Sequence, residues 1–303
     1  MPRNARKAPS STTIFAVAVL GIALFSIMDA VMKGLVLAIG AYTTLFWRSL
    51  AGTFISGVLY ASRRRARMTR DAIHIHVVRG VVTTAMAVAF FWGLARVPMA
   101  QAIALTFIAP LLSLYLSAIL LRERIGAMTI AASSVAFVGV VVILVGQWQS
   151  ELGPDALRGT IAILASAVAY AFNIVLMRRQ ALVADPVEVA FSQSLVVTIV
   201  LGLGAPMFAT LPPLEHVPTL VIAAILAVLS LQLLAWAYAR SDASHLSTSE
   251  YTSFVWAAVL GWLVFGEHVT LFTLVGAAFI VAGCVIAARH RPSPALEGAE
   301  ALR

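Results

Sequence analysis

From end to end the chain alternates between apolar runs of about 20 residues and short polar or basic interruptions. A helix of that length crosses the roughly 30 Å hydrocarbon core of a bilayer. Ten runs can be counted, at about 12–32, 40–61, 73–95, 99–121, 126–146, 157–178, 187–209, 217–239, 245–265 and 269–289. The pattern predicts an all-α membrane protein with ten transmembrane helices. The clearest interruption is 61–72, which carries Arg63, Arg64, Arg65, Arg67 and Arg70. Gly153 and Pro154 mark a joint near the middle. The tail from Arg291, with Pro292 and Pro294, reads as disordered. Arg3, Arg6 and Lys7 precede the first run as in a signal peptide. The run is long, however, and no convincing small-residue cleavage site follows, so it is expected to be a retained first span.

The polar positions also repeat. A shift of 144 positions lays Trp92, Ala95 and Arg96 on Trp236, Ala239 and Arg240, and Glu123, Thr129 and Gly139 on Glu267, Thr273 and Gly283. Asp29 falls on Asn173. Apolar sequence matches Leu and Ala by chance, but not Trp, Arg and Glu at one fixed offset. The expected organisation is a tail over 1–11, a first five-helix repeat over 12–148, a second over 157–290 and a tail over 291–303. Five is odd, so the second repeat enters the membrane upside down relative to the first. Two inverted five-helix repeats place a substrate site near the midplane, between them.

Composition and charge agree. Of 303 residues, 61% are hydrophobic and 11% charged, whereas a soluble domain carries about 25% charged residues. The net charge of +8 does not point to nucleic acid, because the arginines sit between apolar runs rather than along one face. With ten spans, nearly all of them collect on one side. Lys33, Arg96 and Arg158 lie on the other side with Glu151, Asp155, Glu215 and Glu267. The positive-inside rule then places both termini in the cytoplasm. The single cysteine, Cys284, excludes an internal disulfide.

Particular segments carry a family resemblance. They are Pro98-Met-Ala-Gln-Ala-Ile-Ala-Leu-Thr-Phe-Ile-Ala-Pro110, Leu121-Arg-Glu-Arg124 with Gly126 after it, Gly139, and the second copy running from Ala239-Arg-Ser-Asp through Phe265-Gly-Glu267 to Gly283. Over residues 12–290 the chain resembles the ten-helix EamA-type permeases of the drug/metabolite transporter superfamily. Within that group it looks most like bacterial inner-membrane exporters of aromatic amino acids. The resemblance implies a central cavity lined by spans 1, 3, 4, 6, 8 and 9, and export by alternating access.

Polar groups inside hydrocarbon are costly, so each is a candidate site. Asp29 and Lys33 have the spacing of an ion pair on one helix face; alternatively Asp29 faces the cavity as a cation site or proton carrier. Arg48 in the second span and Arg79 in the third either meet a substrate carboxylate through the planar guanidinium fork or pair structurally. The ninth span is the most polar, and Ser249, Ser253 and Trp256 share a face of it. That face lines either a wet cavity or a close helix contact. Glu250 in the same span suggests proton coupling or a structural pair. His245 aligns with Gln101, and both suggest capping or gating. Pro110 falls mid-span and kinks the helix, as a hinge or a static bend. Phe90, Tyr170, Asn173, Gln232 and Trp256 complete a cavity with aromatic walls that suit stacking. Glu123 and Glu267 read as helix N-terminal carboxylates.

The substrate-binding set is therefore Arg79, Phe90, Tyr170, Asn173, Gln232, Ser249, Ser253 and Trp256. Asp29 and Glu250 are coupling candidates, and Pro110 is the hinge. There is no phosphate-cradling loop and no nucleophile–base constellation. His74 and His76 are too isolated to argue for a metal. No enzyme activity, cofactor or metal is expected. The expected function is secondary export of amino acids, aromatic ones included, or similar small metabolites across the bacterial cytoplasmic membrane. The alternatives are export of cationic drugs or other metabolites, and lipid transport. The expected partners are the solute and the bilayer, not nucleic acid; the oligomeric state is not readable from the sequence, and a monomer could suffice, since both repeats lie on one chain.

Overall fold

In a computed structural model of the chain, residues 11–62, 68–121, 127–149, 153–181, 183–238, 240 and 249–289 are described. The helices are α1 (Ser11–Ile39), α2 (Ala41–Ala61), α3 (Arg70–Leu94), α4 (Met99–Thr106), α5 (Ala109–Leu121), α6 (Ala127–Gln149), α7 (Gly153–Ala181), α8 (Pro186–Phe208), α9 (Val217–Tyr238), α10 (Thr252–Phe265) and α11 (Leu271–Arg289). Helices α4 and α5 form one broken pass, so these elements make ten passes through the bundle. Glu123, His245 and both expected tails lie outside the described residues.

Eight of the ten passes follow the apolar pattern to within four residues, and the expected start of the ninth, at 245, lies outside the described residues. The first is the exception: it runs seven residues past the expected boundary. Lys33 looked like an end, but Leu35 and Val36 after it are buried, and the remaining residues to Ile39 stay apolar. The helix stops only at Gly40, whose φ of 81° is a left-handed conformation that glycine adopts without steric cost. Elsewhere the ends are set by caps. Thr69 Oγ1 accepts the Ala72 amide at 3.2 Å and starts α3. Asp185 Oδ1 accepts the Val187 and Glu188 amides at 2.9 and 3.2 Å ahead of Pro186, as an N-cap carboxylate should.

Large apolar side chains point outward around the bundle, among them Phe54 (76% exposed) and Leu203 (82%). An apolar belt of that extent faces lipid, not water. Helix α2 carries Thr44, Thr53 and Ser56 on its inward side, with Thr44 and Ser56 buried. Each of these hydroxyls donates to the carbonyl four residues back, at 2.6 to 2.9 Å, which removes an unpaired donor from hydrocarbon.

The packing repeats as the sequence does. Helix α3 lies along α7, and the mate of that pair is α9 along α1. Helix α3 also meets α8, as α2 meets α9. Helix α1 meets α10, as α7 meets α4 and α5. Three pairs cross the pseudo-two-fold axis: α2 with α8, α6 with α11, and α4 with α10. At the α6–α11 crossing, a Cβ on Gly139 would sit on the Gly276 carbonyl oxygen, and one on Gly283 would sit on the Ala132 carbonyl oxygen. These two sites are mates under the 144-residue shift. Glycine there lets the backbones touch, as small residues do at membrane helix crossings.

The Trp–Arg matches of the repeat have a local explanation. Arg96 folds back over the Trp92 ring at 3.5 Å from its centroid, and its Nη1 donates to the Trp92 carbonyl at 2.8 Å. Arg240 does the same over Trp236, at 4.4 and 3.0 Å. In both copies an arginine closes a helix end by bonding an orphan carbonyl and stacking on the aromatic face.

Candidate functional site

Ten passes bring the start of α1 and the end of α11 to one face of the bundle, here called the terminal face. Arg79 lies nine residues into α3 from that face, roughly 14 Å along the helix axis. It is 7% exposed. Its Nε donates to Asn173 Oδ1 at 2.9 Å, and its Nη1 donates to Gln180 Oε1. Both acceptors are neutral amides on α7. Thr83, one turn further along α3, donates to the same Asn173 oxygen at 3.3 Å and accepts from Gln193 of α8 at 3.4 Å. Tyr170 lies within electrostatic range of both Arg79 and Glu250.

The network continues towards the terminal face. Gln180 Nε2 faces His76 Nδ1 at 2.5 Å, and His76 Nε2 faces Glu188 Oε1 at 3.1 Å. Gln180 is 1% exposed, His76 3% and Glu188 9%. Three helices therefore hold one continuous polar chain, from Glu188 through His76, Gln180 and Arg79 to Asn173 and Thr83. The Asp185 cap fixes Glu188 at the first turn of α8, and the Thr69 cap sets the register of α3. Sequence reasoning named Arg79 and Asn173 but missed Gln180, Glu188 and the role of His76. It also expected spans 1, 3, 4, 6, 8 and 9 to line the site, whereas the polar chain draws on the seventh pass, α8.

An acceptor at the same repeat position lies near an arginine in each half, although the two arginines are not themselves mates. Asn173 meets Arg79. Its mate Asp29, 3% exposed, faces the Arg48 guanidinium of α2 across the first repeat. Asp29 Oδ1 accepts no hydrogen bond, and Arg48 Nη1 reaches Met28 Sδ at 3.6 Å. In the Asp29 copy a carboxyl group lies within electrostatic range of the arginine. In the Asn173 copy the two bonded acceptors are neutral amides, and among the described residues no ion pair reaches Arg79.

Lys33 does not pair with Asp29, although the spacing on one helix face suggested it. Its Nζ donates to the Val97 carbonyl at 2.7 Å, forms an ion pair with Glu267 and lies 5.2 Å from the Phe265 ring centroid. Glu267 Oε2 accepts the Met99 amide at 2.8 Å. The carboxylate does sit at a helix N-terminus, but that of α4 rather than of its own following helix. A left-handed Gly266 (φ 66°) aims it there. The turn is closed by Gly266 N to Trp262 O and Glu267 N to Gly261 O, both 3.0 Å. This cluster ties α1, the α3–α4 turn and the α10–α11 turn together at the face opposite the termini.

Both broken passes break at the same register. The fourth breaks at Phe107–Ile108 and the ninth at Tyr251, and Phe107 and Tyr251 coincide under the 144-residue shift. Their rings meet edge-on, 5.4 Å apart at 88°. Cys284 Sγ donates to the Phe107 carbonyl at 3.1 Å. Pro110 sits at the second residue of α5 and removes the N–H that Thr106 would have received. Its mate is Phe254, so proline is not what the two breaks share.

The remaining candidates are less connected. Phe90 packs edge-on against Phe91 at 5.1 Å. Ser249 is fully buried, Ser253 Oγ donates to the Glu250 carbonyl at 2.6 Å, and Trp256 is half-buried. Glu250 and Gln232 are exposed. Gln232 is not joined to the polar chain. Among the described residues no three His, Cys, Asp or Glu side chains converge.

Two five-helix units, threaded in opposite senses around a buried polar chain, define an inverted-repeat membrane transporter. The chain belongs to the EamA-like transporter family, whose model matches residues 12–145 and again 157–289, within the drug/metabolite transporter superfamily. It is 27% identical to the pseudopaline exporter CntI of Pseudomonas aeruginosa, over 90% of this chain and 95% of the relative. It is 25% identical to a riboflavin transporter of Rhizobium johnstonii, over 88% and 87% of the two chains. It is 24% identical to an S-adenosylmethionine uptake transporter of Rickettsia bellii, over 84% and 85%. A solved crystal structure superposes with a TM-score of 0.61 at 22% identity, covering 93% of this chain and all of that one. These relatives are transporters, not enzymes.

Proposed function

We propose that the protein exports amino acids or similar small carboxylate-bearing metabolites, aromatic ones included, across the bacterial cytoplasmic membrane by alternating access. The observation that carries this reading is Arg79, a buried arginine whose hydrogen bonds among the described residues go to the neutral oxygens of Asn173 and Gln180. Its Nη2 carries neither bond. An oriented guanidinium bonded to neutral amides suits a carboxylate, which brings negative charge and accepts from the fork. Tyr170 stands beside it, and Phe90 and Trp256 supply aromatic surface for the rest of the solute. The broken fourth pass at Pro110 serves as the hinge. The terminal face is cytoplasmic on this reading, because the arginines gather there. The Lys33–Glu267 cluster then closes the outer side.

The test is counterflow in proteoliposomes with labelled tryptophan, threonine and a cationic dye. Tryptophan counterflow should be saturable. Arg79→Lys should lower it about tenfold or more, since lysine keeps the charge but loses the fork, a difference of roughly 1.4 kcal/mol or more. Counterflow of the dye alone, unaffected by Arg79→Lys, would replace this reading with cation export.

A further inference from the structure

The donors and acceptors along the polar chain determine its protonation state. Arginine has hydrogens to give and no lone pair to accept with. The Gln180 atom facing Arg79 must therefore be the oxygen. Its Nε2 then points at His76 Nδ1, and an amide nitrogen only donates, so that ring nitrogen must be bare. The ring proton sits on Nε2 and is donated to the Glu188 carboxylate. The arrangement seen, with Arg79 held by two amide oxygens, requires a neutral His76.

We infer that His76 and Gln180 are positioning residues that make a proton on His76 incompatible with the held position of Arg79. A proton added at Nδ1 turns that nitrogen into a donor facing a donor. The Gln180 amide must rotate so that its oxygen accepts from Nδ1. Its NH2 group then faces Arg79, which loses one of its two acceptors in a buried site. Proton and carboxylate solute thus compete. Protonation loosens the anchor, deprotonation restores it, and no atom other than the proton is gained or lost. Competition of this sign is what proton-for-solute exchange needs, with release of the solute on the acidic side.

The charged and titratable groups around His76 fit this role. Helix α8 presents Glu188, with Asp185 at its cap, and α7 presents the uncharged Gln180 and, deeper, Tyr170. Arg79 is one turn along the same helix. Asp71 and His74 of α3 and Arg179 of α7 are exposed. The described part of α2 has Arg48 as its one charged residue, near Asp29 in the opposite half, and α1 adds Lys33 there. Glu188 is the one described acid facing the ring, and it receives the Nε2 proton in both states.

The inference rests on Arg79 as the solute's anchor, yet its test needs no solute. The full chain, 15N-labelled at histidine and arginine, is titrated in lipid nanodiscs by NMR. The His76 signals are assigned by their loss in His76→Asn, and those of Arg79 by their loss in Arg79→Lys. The unprotonated ring should carry its proton on Nε2. The Arg79 guanidinium nitrogens should shift from held to freely rotating with the same midpoint as the ring. In Gln180→Leu, His76 should still titrate while Arg79 no longer follows. Gln180→Glu, whose carboxylate accepts from Arg79 whether or not His76 Nδ1 carries a proton, should keep Arg79 held through the titration and serves if the leucine variant does not fold. An unprotonated ring with its proton on Nδ1, an Arg79 signal that ignores the His76 midpoint, or one that follows it equally in both variants would overturn the relay. Failure of tryptophan counterflow bears on the substrate and leaves this result standing.

Discussion

Replacing Lys33 alone should harm the protein as much as, or more than, replacing Lys33 together with Glu267. The Lys33 side chain is 4% exposed and that of Glu267 18%. Removing one member of a buried pair strands the other, at about 3–5 kcal/mol. Glu267 keeps the Met99 amide and some water, which puts Lys33→Met near the low end, about 3 kcal/mol. Glu267→Gln leaves the Lys33 ammonium with only the Val97 carbonyl and turns an amide NH2 towards it, for a similar cost. Methionine and glutamine together strand no charge, so the double variant should lose only about 1–2 kcal/mol. At roughly 2–4 °C per kcal/mol for a chain of this size, each single variant should unfold about 6–12 °C lower and the double variant should recover part of that. Tryptophan fluorescence during heating in nanodiscs reads the difference. If the two single losses simply add in the double variant, the cluster is not a coupled unit and does not close that face.

The close backbone approach predicts that Gly139→Val, which places atoms on the Gly276 carbonyl, abolishes a monodisperse folded peak in size-exclusion chromatography. Gly34→Ala, with no heavy atom within 4 Å of the added methyl, should leave the peak intact. The paired helix-end clasps predict that Arg96→Ala and Arg240→Ala each cost about 0.5–1 kcal/mol, seen as a drop of a few degrees in the same unfolding assay. A loss in one copy only would mean that the clasp is not a shared device of the repeat.

Much of this architecture is legible in the sequence. The apolar period sets eight of the ten passes to within a few residues, and the shift by 144 positions announces the pseudo-two-fold that the helix pairings obey. The Lys33 boundary was misplaced because a lone charge resembles a helix end until its partner, 234 residues away, is known. Glu267 was read as a helix N-terminal carboxylate. The chemistry was right and the helix wrong, for the same reason. Within the site, Arg79 and Asn173 stood out as polar residues deep in apolar runs. Gln180 and Glu188 did not, because a polar residue near a span end is ordinary at the membrane surface. Only the packing of α3 against α7 and α8 reveals that these ends are buried against one another. The matching breaks at Phe107 and Tyr251 left no signal of their own, since proline occurs in one copy alone.

Everything said of inside and outside depends on the two repeats running in opposite senses through the membrane. Cysteine labelling tests this most directly, because the chain has one native cysteine and it is buried. In a Cys284→Ser background, Arg96→Cys and Arg240→Cys are exposed to a membrane-impermeant thiol reagent in intact and in permeabilised cells. The account predicts that position 96 labels in intact cells and position 240 only after permeabilisation. Labelling of both positions from the same side would contradict it.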